Sequence, residues 1–257
     1  EGEALLAPGR RLTARDIGLA AASNNPWLAV HRRPRVGILA TGDEIALPGD
    51  PIPAGGIVSS NAHALAALIR AGGGEPIVLP IAPDDTSAIA DIAASAHGYD
   101  LLVTTGGASV GEHDLIQKAL GGEGFELGFW KIAMRPGKPL IWGRLGRVPV
   151  LGLPGNPVSA YTCLHRYVLP ALDHAAGLAP AAPRTLRLAT GVTFRPPLAW
   201  LLPVRVAPGP DGSPVAWPEP ANTSGDLAGL AGTDGFLELP AGETEFPAGY
   251  TAPFFPW

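Results

Sequence analysis

The stretch Leu101-Leu102-Val103-Thr104-Thr105-Gly106-Gly107-Ala108-Ser109-Val110-Gly111 decides the fold class. Leu101-Leu102-Val103 is a short apolar run of β type, and the Gly-rich segment behind it cannot continue as sheet. A strand that breaks into such a loop at its carboxyl end is where open α/β sheets place their ligands. The flanking pattern agrees. Val36-Gly37-Ile38-Leu39 and Pro76-Ile77-Val78-Leu79 are further strand-like runs. Between them, Asn61 to Arg70 sets Ala62, Leu65, Ala66 and Ile69 at helical spacing before Gly72-Gly73-Gly74 stops the helix. A second helix is expected through Ala96, with Asp84 or Asp85 as its N-cap. Phe129 to Met134, Leu140 to Trp142 and Val148 to Leu151 read as strands, and Val158 to Leu172 as a helix. Short apolar runs alternating with amphipathic helices predict an α/β domain over 34–177, a mostly parallel sheet sandwiched by helices.

Beyond Gly177 the composition changes. Ala179-Pro180-Ala181-Ala182-Pro183 is a linker signal. Thr185 to Val192, Trp200 to Val206, Val215 to Trp217 and Phe236 to Leu239 then read as strands between Pro and Gly turns, which predicts a small all-β domain over 184–257. Residues 1–33 form a leading segment with one short helix near Asp16 to Ala22, ended by Ser23-Asn24-Asn25-Pro26.

Composition narrows the function classes. Gly (34) and Pro (29) make up about a quarter of the 257 residues, yet 46% of the chain is hydrophobic and only 16% charged, which favours a loop-rich globular protein over disorder. No apolar run reaches the ~18 residues that a membrane-spanning helix needs, so no membrane association is expected. Cys163 stands alone, which excludes an intrachain disulfide and a zinc cluster and makes the cytoplasm the expected compartment. A net charge of −5 argues against nucleic acid as a partner. The sole methionine is Met134 and the sequence starts at Glu1, so further N-terminal sequence is expected.

Three regions could carry chemistry. Lys131, Arg135, Lys138, Arg144 and Arg147 place five of the 18 basic residues within a stretch of 17 positions that holds no Asp or Glu. That is either a solvated hairpin face or an anion site, and a tight Pro136-Gly137 turn holding Arg135 near Lys138 would suit phosphate or another oxyanion. Thr41-Gly42-Asp43-Glu44 and Gly111-Glu112-His113-Asp114 follow strand ends and would project carboxylates into one crevice, either as helix caps or as ligands for a divalent cation. Gly152-Leu153-Pro154-Gly155-Asn156-Pro157 lies between a strand and a helix, where it is either a structural turn or an anion-binding helix start. No spacing marks a nucleophilic triad, so His113 and His165 read as structural, and Cys163 as core.

Taken together, four blocks resemble the molybdopterin molybdenumtransferase family, the MoeA and gephyrin E-domain proteins. They are Leu39 to Glu44, Thr105 to Asp114, Phe129 to Pro139 (FWKIAMRPGKP) and Gly152 to Ser159 (GLPGNPVS). Asp226 to Ala231 and Gly235 to Pro240 are similar, more loosely, to the family's C-terminal domain, and residues 5–22 look like the end of its N-terminal region. The resemblance implies that the family's preceding subdomains lie outside this sequence, and that a homodimer forms.

For function, it implies insertion of molybdate into adenylylated molybdopterin, with hydrolysis of the AMP linkage in the presence of Mg²⁺. The alternatives are a non-catalytic molybdopterin-binding or scaffold module and a nucleotide-binding α/β domain. Carried over by position, Glu44, Asp84 and Asp114 match functional carboxylates and would hold the metal, and Lys131 and Arg135 match basic positions of the cleft. Arg135 departs from the commoner Lys, which exchanges a compact donor for a planar fork. For Asp84 the resemblance favours the catalytic role over the cap. Pro154 and Pro157 match the family's proline loop, and Gly155 and Asn156 belong to the same stretch. Thr105, Gly106, Gly107, Ser109, Gly111 and Lys138 complete the expected substrate contacts.

Overall fold

The computed structural model describes residues 4–106, 112–220, 223 and 225–257, except for the side chains of residues 96–97, 112–115 and 117. After helix α1 (Ala14–Ala22), the first half of the chain runs β1 (Arg35–Ala40), β2 (Ile45–Ala46), β3 (Ile57–Val58), α2 (Asn61–Ala71), β4 (Glu75–Val78), α3 (Thr86–Ala94), β5 (Leu101–Thr105) and α4 (Glu112–Gly121). Next come β6 (Phe125–Trp130), β7 (Met134–Arg135), β8 (Ile141–Leu145), β9 (Val148–Leu153), α5 (Pro157–Cys163), a π-helical turn (Leu164–Val168) and α6 (Leu169–Ala175).

The first sheet has the order β4-β1-β5-β9-β8-β6. Its four strands β4, β1, β5 and β9 run parallel, while β8 and β6 add an antiparallel edge. Val36, Ile38, Leu101, Val103, Leu151 and Leu153 pack under α2 and the α5–α6 pair. Leu39, Leu102 and Val150 point the other way, under α3 and α4. The period-2 alternation of strand side chains thus feeds two helical layers. The N-cap of α3 is Asp85, whose side chain accepts from the Ser87 and Ala88 amides. The sequence left this cap open between Asp84 and Asp85, and the structure gives it to Asp85.

The C-terminal region runs β10 (Arg184–Leu188), β11 (Val192–Thr193), β12 (Ala199–Pro208), β13 (Pro214–Pro218), the helical turn α7 (Leu227–Leu230), β14 (Gly235–Leu239), β15 (Glu245–Phe246) and β16 (Thr251–Pro256). Strands β13-β10-β16-β14-β12 close into a barrel because β12 also pairs with β13. Strand β16 was not foreseen, since Pro253 and Pro256 argue against a strand. The expected strand from Phe129 to Met134 is two strands, β6 and β7, and β7 leaves the first sheet to pair with β12 at Ala199↔Met134 and Trp200↔Arg135. The domains also share a core, with Leu201 and Phe236 of the barrel packed among the α2 and α5 side chains. Arg166 donates to Glu238 across the same junction at 2.8 Å. Among the described residues no helix is long and apolar enough to cross a membrane.

Candidate active site

Register places the candidate segments next to one another. Ala40 pairs with Thr105, and Thr105 with Leu153, so the carboxyl ends of β1, β5 and β9 sit side by side. The segments that leave them are the Thr41–Glu44 turn, the Gly-rich loop and the Pro154–Pro157 loop. At the first residue of its loop, Gly106 has φ +89°, and a Cβ there would collide with the Thr41 carbonyl, so only glycine fits this close approach. Gly155 lies against Gly106 from the other side, with room for a Cβ 3.5 Å from the Gly106 Cα.

One hollow of about 310 Å³ opens over these ends, lined by Glu44, Thr105, Gly106, Gly155, Asn156 and Pro157. Ser59, Ser60 and Asn61 at the start of α2 complete it. The N-cap residue Ser60 makes no side-chain capping bond, so the first turn of α2 presents amides and the positive end of the helix dipole to this space. Asn61 ties the hollow together: its Nδ2 donates to Thr105 Oγ1 at 2.9 Å and to the Gly155 carbonyl at 2.8 Å. The buried hydroxyls of Thr41 and Thr104 have no hydrogen-bond partner among the described residues, which leaves spare polar capacity at the strand ends.

A second hollow of about 470 Å³ adjoins it and shares Asn156. It lies between the domains, where the loop after β7 faces the barrel. Among the described residues, Arg135 and Lys138 are its only charged lining residues, and neither pairs with a carboxylate. The loop holding them is closed by the Ile132 amide donating to the Lys138 carbonyl at 2.9 Å, with Gly137 at φ +104° against Met134 and Cys163. Burial pushes the Cys163 thiol well above its usual range, so it serves as packing rather than as a nucleophile.

The remaining expected residues fall as follows. Lys131 is exposed and lines neither hollow; its Nζ sits 3.6 Å from the Trp130 ring centroid. Asp84 is exposed and lines neither, but its amide donates to Asp43 Oδ1 at 3.1 Å, which sets it beside the turn that carries Glu44. Pro154 is buried at the end of β9. Asn156 occupies the N-cap position of α5 without making a capping bond. Asp114 is in the first turn of α4, and its side chain, like Gly107, Ser109 and Gly111, lies outside the described residues.

No group of three or more metal-ligating side chains forms among the described residues. The Glu44 and Asp84 turns are joined through the Asp84 amide and Asp43 Oδ1. Sequence reasoning missed Asn61, which read only as the start of a helix, and the aromatic wall of the second hollow, which depends on a pairing between distant segments.

A larger hollow of about 650 Å³ lies under the leading segment. Three of its arginines are committed to ion pairs, Arg10 with Asp16, Arg11 with Asp173 and Arg32 with Asp100, so it offers less unpaired charge than the inter-domain space.

Comparison with known proteins decides the family. The pattern described as "Probable molybdopterin binding domain" matches residues 37–174, and "MoeA C-terminal region (domain IV)" matches residues 185–257. The chain belongs to the MoeA family of molybdopterin-binding proteins. A MoeA relative from Nostoc, named molybdopterin molybdenumtransferase, is 38% identical over 182 residues, 69% of this chain and 42% of the relative. One of the same name from Synechocystis is 30% identical over all of this chain and 64% of its own length. A solved MoeA structure from Pyrococcus horikoshii superposes with a TM-score of 0.83 at 30% identity, covering 98% of this chain and 61% of that one. This chain therefore spans less than two thirds of these MoeA relatives.

Proposed function

We propose that this chain carries the molybdate-insertion site of a molybdopterin molybdenumtransferase, which binds adenylylated molybdopterin, takes up molybdate at the dithiolene sulfurs and releases AMP. The observation that carries this reading is the meeting of two unlike hollows at Asn156. One combines hydroxyls, a helix N-terminus and Glu44; the other is basic, with no carboxylate among its described lining residues. A substrate with two ring systems joined through phosphates, reacting with an oxyanion, asks for both.

Arg135 and Lys138 would hold and orient negative charge, and Asn61, Thr105 and Gly106 would fix the phosphates by close backbone and hydroxyl contacts. We retain Lys131 as a further cation for the incoming oxyanion. Mg²⁺, held by Glu44, Asp84 and Asp114, would supply charge neutralisation at the phosphoryl group and help orient water. No side-chain nucleophile is needed, because positioning does most of the work. We further propose that the α/β domain spans 34–177 and the β domain 184–257, that the protein works as a cytoplasmic homodimer, and that the exposed Ile17, Trp27 and Val30 contribute to its contacts.

Calorimetry with adenylylated molybdopterin, followed by addition of molybdate and Mg²⁺, separates the readings. Binding followed by AMP release supports the transferase, and binding without release supports a scaffold or carrier module. Absence of binding refutes both. Equal release by Asp114→Ala removes Asp114 from the mechanism.

A further inference from the structure

We propose that the hollow of about 650 Å³ under the leading segment binds a medium-chain carboxylate, a flexible aliphatic tail with one anionic head. Pro34 and Gly73 line it shortly before β1 and β4, so it opens at the amino ends of these parallel strands. The candidate active site gathers at the opposite, carboxyl ends of β1, β5 and β9. The inference is therefore independent of the function proposed above.

The chemistry of the lining selects the ligand. Leu6, Leu12, Leu28, Val30, Leu172 and Leu178 form aliphatic walls, and among the described residues no Phe, Tyr or Trp lines the space to stack on a planar ring. Arg10, Arg11, Arg32 and Arg33 edge the same hollow, with no carboxylate among its described lining residues. Asp16, Asp173 and Asp100 balance the first three from outside the lining. Arg33 has no ion-pair partner among the described residues, so one formal positive charge is left uncompensated, which calls for a monoanion. The bonds of Arg10 to Asp16, and of Arg11 to Asp173 and the Gly72 carbonyl, all run through Nη2. Their other guanidinium donors remain to assist Arg33 with the two oxygens of a carboxylate.

Close backbone approaches fix the walls. Gly73, at φ +93°, leaves the room in which the Arg11 guanidinium lies, since a Cβ there would meet Nη1 at 2.6 Å. Gly177, at φ +71°, does the same for the His31 ring, and the Ala179 amide donates to the Gly9 carbonyl at 2.8 Å. The leading segment is thus tied to the ends of α2 and α6. Leu28 and Val30 stay 39% and 67% exposed, so a tail laid against them takes apolar surface out of water, while Arg33 orients the head. A hollow of this volume is in the ordinary range for a small-molecule site.

The test titrates sodium decanoate into the full chain by calorimetry, beside hexanoate, octanoate and decyltrimethylammonium. One site per chain is expected, with affinity rising about two- to fourfold for each added methylene. Decyltrimethylammonium, with the same tail and the opposite charge, should bind about tenfold more weakly or worse. Arg33→Glu and Val30→Asp, both at exposed positions, should each weaken decanoate about tenfold or more while leaving the melting temperature in place. If Arg33→Glu melts early, Arg33→Gln decides instead, with the same direction of change. Sedimentation with phosphatidylglycerol vesicles separates a free acid from a lipid surface: vesicle binding without binding of free decanoate overturns the proposal. Affinity that ignores tail length, head charge or Arg33 overturns it too. So does binding that disappears when the chain dimerises, because a second copy then fills the hollow.

Discussion

Removing the Asn61 amide should loosen the site more than it loosens the fold. In Asn61→Ala, two donations are lost, one to Thr105 Oγ1 and one to the Gly155 carbonyl. Thr105 is 2% exposed, so its hydroxyl loses a partner that water cannot readily replace, a cost of about 1–3 kcal/mol. Gly155 is exposed and its carbonyl can be rehydrated, while alanine at the start of a helix returns about 0.5 kcal/mol of helix propensity. The net loss is about 1–2 kcal/mol, or ~3–6 °C in Tm for a chain of this size.

The larger effect is local. The amide links residues 44 and 94 positions apart in sequence, and without it the Pro154–Pro157 loop is no longer held to the end of β5. If that preorganisation serves phosphate binding, AMP affinity falls roughly tenfold, because about 1.4 kcal/mol of ordering must then come from the ligand. Calorimetry with AMP and a thermal melt on the same preparation give both numbers. A lowered Tm with AMP affinity unchanged within twofold would refute the positioning role and leave Asn61 a merely structural tie.

Other expectations follow from the same geometry. Gly106→Ala forces a side chain into φ +89° and against the Thr41 carbonyl, so it should lose about 1–3 kcal/mol of stability and weaken AMP binding; Gly121→Ala, with open space around it, should be neutral or slightly stabilising in the same melt. His165 is packed against Tyr161 and Trp257 at the domain junction, and burial pushes its pKa down from 6.5 to about 4. The unfolded chain therefore binds the proton more tightly, and stability should fall as pH drops from about 6.5 towards 4, by about 2 kcal/mol between pH 7 and 5. Denaturation of His165→Gln at the two pH values should show most of that slope gone; an unchanged slope assigns it to other groups.

The layered α/β domain was legible because its central strands are apolar runs that need only local pattern. Leu101-Leu102-Val103 and Val148 to Leu151 could be placed from the sequence, and the structure extends them only by their carboxyl ends. The Gly-rich segment follows the carboxyl end of β5, beside the ends of β1 and β9, and Arg135, Lys138 and Asn156 line one hollow. Legibility ended where long-range pairing took over. The β7–β12 pairing joins Arg135 to Trp200 across most of two domains, and no local signal announces it. Strand β6 begins earlier than expected because Gly128 sits at a register shift between Leu127 and Phe129, where a Cβ would meet Trp142 at 2.7 Å. Asn61 escaped notice because an asparagine that starts a helix has a sufficient local explanation.

The central claim is that this chain's paired hollows convert adenylylated molybdopterin when molybdate is supplied. Chromatographic quantification of AMP in a single-turnover mixture of the chain, adenylylated molybdopterin and Mg²⁺, with and without molybdate, tests it directly. Near-stoichiometric AMP that depends on molybdate and falls at least tenfold in Arg135→Ala is the predicted result. AMP release that ignores molybdate, or that survives Arg135→Ala unchanged, would contradict it.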